Sequence, residues 1–124
     1  MIKAASLKQL REVKGDLEAL QATEQELFQQ FIHVIQLTRQ LQLRYDYMGC
    51  LLQQEDPSQC APDFIEESVL NLYQHEINTL KKHPQIHNLE SILVHYQRIG
   101  YTKISLLALG ESPESLVGPS IATA

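Results

Sequence analysis

Apolar side chains recur along the first part of the chain at alternating steps of three and four residues. The positions of this seam are Leu10, Val13, Leu17, Leu20, Glu24, Leu27, Phe31, Val34, Thr38, Leu41, Tyr45, Met48 and Leu52. Glu24 and Thr38 are its polar exceptions, no proline interrupts it, and Ser6 can act as an N-cap. The seam predicts one amphipathic helix over residues 6–54. From the rise per residue of an α-helix, its length would be about 70 Å.

The residues that flank the seam change character along this predicted helix. Polar flanks such as Lys14 and Asp16 occur in the N-terminal half, whereas Phe28, Ile35 and Leu37 widen the apolar stripe in the C-terminal half. A wide stripe is typical of packing against two helices, and a narrow stripe suits one partner helix. We therefore expect the C-terminal half to lie in a bundle and the N-terminal half to project as a coiled-coil-like arm with an uncovered seam.

Two shorter helices are predicted after a turn at residues 55–61. Pro62 favours a helix start and Pro84 a stop, which gives a second helix at 62–83. Asn88 can cap a third helix at 88–109, which we expect to continue through Gly100 because the apolar positions keep their phase. The alternative is that Gly100 ends this helix and residues 101–109 form a separate short element. The prediction is an all-α three-helix bundle in one domain, 1–110, with a flexible, disordered tail at 111–124.

The composition narrows the function classes. The formal net charge is −5 over 124 residues, and the basic residues are scattered, so we expect no nucleic-acid partner. No apolar run approaches the roughly 18 residues of a membrane span, and the N-terminus lacks the apolar core of a signal peptide. These features predict a cytoplasmic protein without membrane insertion. In a reducing cytosol Cys50 and Cys60 are expected to be unpaired thiols, although a bridge across the turn is sterically conceivable.

Candidate catalytic and metal-binding chemistry is sparse. His83 and His87 have the spacing of a helical metal pair, but Pro84 lies between them. The five glycines are isolated and form no phosphate loop. No cysteine or serine has a base at a recognisable spacing. We therefore expect no enzymatic activity, no metal and no cofactor.

The run from His75 to Leu80, His-Glu-Ile-Asn-Thr-Leu, resembles the phospho-acceptor segment of sensor histidine kinases. His75 faces away from the apolar side of its predicted helix, as a phospho-acceptor must. The run departs from that segment at Leu80, where such kinases often have proline. It also lacks the Lys-Gly pair that follows the histidine of stand-alone phosphotransfer domains. The resemblance implies an alternative function, a phosphotransfer or kinase-regulating helical domain that acts through His75.

The predicted arm suggests a function in protein binding. Its partner-binding residues would be Leu10, Val13, Leu17, Leu20, Glu24, Leu27 and Phe31. In a parallel homodimer Glu24 would meet its own copy and repel it, so the sequence favours an antiparallel pair or a different partner chain. Alternatively, Glu24 reaches sideways to solvent. The layout is similar in outline to the small helical chaperones of secretion and flagellar export systems. The predicted function is a non-enzymatic adaptor or chaperone-like module that pairs with another protein helix, in a homodimer or a hetero-complex.

Overall fold

The computed structural model describes residues 6–61 and 64–117, and this part of the chain contains helices and no strand. The prediction of an all-α protein is confirmed, but the three-helix bundle with one very long helix is wrong. Seven α-helices of moderate length occupy the described residues. They are α1 Leu7–Thr23, α2 Gln25–Gln40, α3 Tyr45–Gln53, α4 Glu67–Lys81, α5 Glu90–Ile99, α6 Tyr101–Ala108 and α7 Pro113–Val117. Short 3-10 turns lie at Pro57–Gln59 and Ile86–Leu89.

The predicted long helix is interrupted first at Glu24, where φ is −131° and ψ is 64°. Glu24 takes part in the backbone hydrogen bonding of both helices. Its N–H donates to Leu20 O of α1 at 2.8 Å, and its carbonyl accepts from Phe28 N of α2 at 2.9 Å. One residue therefore separates α1 from α2. The other end of α1 is as expected, since Ser6 forms a reciprocal capping box with Gln9.

The second interruption ends α2 with a Schellman motif. Gln42 has a positive φ of 57°, Leu43 N donates to Thr38 O at 2.9 Å, and Gln42 N donates to Arg39 O at 3.1 Å. A left-handed residue reverses the chain direction and satisfies the last carbonyls of the helix. The chain then starts α3 after Arg44, so α3 is free to pack in a new direction.

The other two predicted helices are also shorter than expected. The second begins at Glu67 rather than 62 and ends at Lys81 rather than 83, while Pro62 itself lies outside the described residues. The third does not continue through Gly100, where φ is 115° and ψ is 135°. A left-handed φ of this kind is readily adopted only by glycine, so the alternative of two elements separated at Gly100 is the correct one.

The C-terminal third of the chain folds back along α1. Asn88, just before α5, contacts Glu24 at the end of α1, and Lys14 Nζ donates to Leu107 O at 3.3 Å in the middle. At the beginning of α1, Arg11 pairs with Glu114 of α7 at 2.9 Å. Part of the predicted flexible tail is thus an ordered helix on α1, and residues 118–124 lie outside the described residues.

Helices α3 and α4 run side by side in the same direction. The ring of Tyr47 near the start of α3 stacks with that of Tyr73 in the middle of α4, with centroids 6.3 Å apart. Further along both helices, Lys81 Nζ at the end of α4 donates to Leu51 O at 3.1 Å. Two parallel neighbours require a connection that returns along their length. The described residues of this connection are 54–61 and 64–66, and we call them the crossover strap.

Candidate interaction surface

The predicted seam is covered within the chain. Its N-terminal part is fully or almost fully buried: Leu10, Val13, Leu17, Leu20, Leu27 and Phe31 have 0–4% of their surface exposed. Helices α5, α6 and α7 lie against α1 and provide the cover. The expectation of a projecting arm with a bare seam is therefore corrected. It failed because the breaks at Gly100 and Gly110 let short helices follow α1 along its length.

The two polar residues of the seam have partners inside the chain. Glu24 is partly buried at the break between α1 and α2, and its Oε1 accepts from Asn88 Nδ2 at 3.2 Å. Thr38 is fully buried, and its hydroxyl lies 2.6 Å from the Tyr73 hydroxyl of α4. A buried hydroxyl pair of this kind fixes how α2 and α4 pack. Within this fold Glu24 thus joins α1 to the segment before α5.

His75 lies on the exposed side of α4. The buried residues of this helix are Tyr73, Ile77 and Leu80, and the helical period places His75 on the opposite side. Ser68, Leu72 and Thr79 share that side, and all are exposed. We call Ser68, Leu72, His75 and Thr79 the outer strip of α4. The predicted orientation of His75 is therefore confirmed.

Three large apolar side chains stand exposed in the described part of the chain. Phe64 in the crossover strap is fully exposed, Leu72 is 66% exposed and Val94 on α5 is 56% exposed. Phe64 and Leu72 belong to adjoining segments, because α4 begins three residues after Phe64. Val94 lies apart from them, at the rim of a groove of about 360 Å³ that Leu52 and Leu93 also line.

Sequence reasoning missed Phe64 and Leu72 as surface residues. From the sequence only His75 was placed on the exposed side of the second helix, although Leu72 lies on the same side, one turn before it. The angular position of Leu72 relative to His75 was the signal that could have separated it from the core. For Phe64 no comparable signal exists, since an isolated aromatic in a turn has no periodicity.

The exposed charges at the two ends of α4 have opposite signs. Glu66 and Glu67 are exposed at its start and Lys82 is exposed just after its last residue. The acidic residues lie at the positive end of the helix dipole and the lysine at its negative end, so these charges stabilise α4 itself. At the edge of the strip, Glu76 lies 3.6 Å from His33 Nε2 of α2.

A disulfide bond fixes the crossover strap against α3. Cys50 and Cys60 are bonded with a Cα–Cα distance of 5.8 Å, so the expectation of two unpaired thiols is wrong for this structure. The residues bracket a turn that returns alongside α3, which brings Cys60 back beside Cys50. Arg44 at the start of α3 donates to Ala61 O at 3.5 Å, and Lys81 contacts Gln54 O at the other end of the strap.

Ionisable groups with altered pKa values lie away from the outer strip. Burial raises the pKa of the Tyr96 and Tyr101 phenols. A hydrogen bond from Ser58 N lowers the pKa of Asp56 in the strap, and one from Arg11 lowers the pKa of Glu114. Each of these shifts has a structural cause in burial or in a hydrogen bond.

The described residues contain no group of three or more histidine, cysteine or acidic side chains placed to hold a metal ion. Within the same part of the chain, no helix combines the length and apolar character that crossing a membrane requires. In comparisons with known proteins, no family model matches the sequence, and neither a curated protein nor a solved structure matches it.

Proposed function

We propose that this protein is a helical protein–protein interaction module that binds through Phe64 and the outer strip of α4. The observation that carries the proposal is that two of the three exposed large apolar side chains in the described residues, Phe64 and Leu72, lie on adjoining segments. Fully burying each of them stabilises a complex by about 1.5–3 kcal/mol before association costs. Exposed apolar surface that is rimmed by polar residues is typical of binding sites.

The α1 seam is a poor interface for the folded chain. A partner helix would first have to displace the cover from Leu10, Val13, Leu17 and Leu20. Exposing four such side chains costs about 6–12 kcal/mol, which is comparable with the whole stability of a domain this size. Binding through the outer strip of α4 needs no such opening.

Site-specific photo-crosslinking tests this surface. A photo-reactive benzoylphenylalanine replaces Leu72 in one variant and Glu12, which is exposed on α1, in a matched control. After irradiation in extract of the native cells, we expect protein adducts from position 72 and none from position 12. The mass of the adduct identifies the bound chain. Equal adduct formation at both positions, or none at either, contradicts the proposal.

The alternative function, phosphotransfer through His75, is favoured by the exposure of that side chain opposite the buried face of α4. It makes a different prediction. Protein isolated from its native cells under neutral conditions would carry an acid-labile phosphoryl group on His75, and a His75→Ala variant would lack it. Mass spectrometry of the intact chain, before and after acid treatment, distinguishes the two functions, since the interaction proposal needs no modification.

A further inference from the structure

We infer that the chain bound at this surface is a second copy of the protein, paired antiparallel through the outer strip of α4. The inference rests on the proposed function, because it names the partner of the same surface. It follows from the order of side chains along the strip, which is self-complementary when the helix is reversed.

The reversal can be followed residue by residue. When the two-fold axis of an antiparallel pair passes through the centre of the outer strip, each residue of the strip faces the residue at the same distance from the other end of the strip. Ser68 then faces Thr79 of the second copy, and Leu72 faces its His75. The spacing of the strip, four, three and four residues, is the spacing by which two helices interlock along a seam. Leu72 is covered near the centre of the pair, where water is excluded best.

The charges favour the same orientation. In the antiparallel pair, Glu67 at the start of one helix lies near Lys82 at the end of the other, and the contact occurs twice. A parallel pair would instead bring Glu67 beside its own copy and Lys82 beside its own copy. Oppositely directed helix dipoles add to the preference for the antiparallel pair. Charge order thus selects both the second copy as partner and its orientation.

The strap and the segment after α4 extend this interface. Reversal places Phe64, three residues before one α4, beside the end of the other α4, where Pro84 is exposed. A contact of one short helix and its ends is at the low end of specific interface sizes. The dimer should therefore dissociate on dilution rather than form a permanent assembly.

Sedimentation velocity over a concentration series measures the pairing. We expect a monomer–dimer equilibrium that Leu72→Glu weakens at least tenfold, because two leucines lose their cover at once. Glu67→Lys and Lys82→Glu should each weaken dimerisation, and the double variant should restore it by exchanging the charges. Glu12→Lys and Lys8→Glu on the exposed side of α1 are matched controls that leave it unchanged. A wild-type chain that is monomeric up to about 1 mM overturns the inference, as does a double variant that dimerises no better than the single ones.

Cysteine crosslinking tests the orientation. An equal mixture of Ser68→Cys and Thr79→Cys chains, mildly oxidised, should yield the mixed dimer and little of either self-dimer, because the two positions are about 16 Å apart along one helix. A parallel pair would give the two self-dimers instead and would overturn the inference. In the photo-crosslinking experiment, a different protein bound at position 72 would also overturn it while leaving the proposed function intact. Absence of any adduct overturns both.

Discussion

Reducing the bond between Cys50 and Cys60 removes the covalent restraint on the crossover strap. The two cysteines are 10 residues apart, so the bond closes a short loop in the unfolded chain. The loop-closure entropy for this length corresponds to about 2.5–3 kcal/mol of stabilisation. This is a large part of the stability expected of a single small domain. After reduction the strap keeps the Arg44 and Lys81 contacts, so we expect a folded but less stable protein.

Thermal unfolding with and without dithiothreitol measures this contribution. For a chain of this length the loss lowers Tm by about 10 °C. A Cys50→Ser/Cys60→Ser variant should behave like the reduced wild-type chain and should not respond to the reductant. Titration of thiols in the protein as isolated from its native cells completes the test. Two reactive thiols in the native protein, or a Tm that reduction leaves unchanged, would refute the reasoning.

Three further predictions concern packing, backbone and charge. Gly49→Ala should destabilise the fold by about 1–3 kcal/mol in urea unfolding, because the added Cβ would meet the Tyr101 ring at 2.1 Å. Gln42→Gly should raise stability by about 1 kcal/mol in the same assay by relieving its left-handed φ. In an NMR pH titration, Glu114 should have a pKa below the ordinary value of 4.5, and Arg11→Ala should raise it because the hydrogen bond from Arg11 lowers it. Since that pKa is lowered on folding, the contact stabilises at neutral pH and is lost as the pH falls through the lowered pKa.

The thiol titration also bears on where the protein works. Structural disulfides persist mainly in oxidising compartments, whereas the sequence led us to expect a reducing cytosol. The location remains a prediction. A bond that is intact in protein isolated with its thiols blocked at lysis would argue against the cytoplasm.

The all-helical class could be predicted because the apolar period of the chain is helical nearly throughout. The ends of the helices were harder to predict than the helices themselves, as the ends of α2 and α6 show. Both helices end at a left-handed residue, which is Gln42 after α2 and Gly110 after α6. In each case the N–H of that residue donates at 3.1 Å to the carbonyl three residues earlier, Arg39 O or Leu107 O. A glycine such as Gly110 predicts this end structure, and the predicted helix end at 109 was close to the observed end of α6 at Ala108. Gln42 does not, because glutamine adopts a left-handed φ only when the surrounding packing imposes it.

The seam was recognised as an apolar surface that needs cover, but it was expected to lie bare in this chain and to be covered by another one. The predicted third helix was unbroken over 88–109 and the predicted tail was disordered, so neither was expected to follow α1 to its start. The breaks at Gly100 and Gly110 allow α6 and α7 to continue along α1 instead. The narrow stripe is compatible with this cover, because each short helix meets only a small part of it.

An apolar seam within reach of its own chain is covered by that chain whenever the geometry permits. Segments joined by a short linker meet at millimolar effective concentration or more, which a separate partner rarely matches. The strongest apolar pattern in a sequence is therefore the one that folding uses first. What remains outside is a weaker pattern, as on α4, where Leu72 is a single apolar residue among polar neighbours. A binding surface of this kind is recognised from the side chains that the fold leaves exposed and from the order of the charges beside them. The period of apolar residues in the sequence indicates neither.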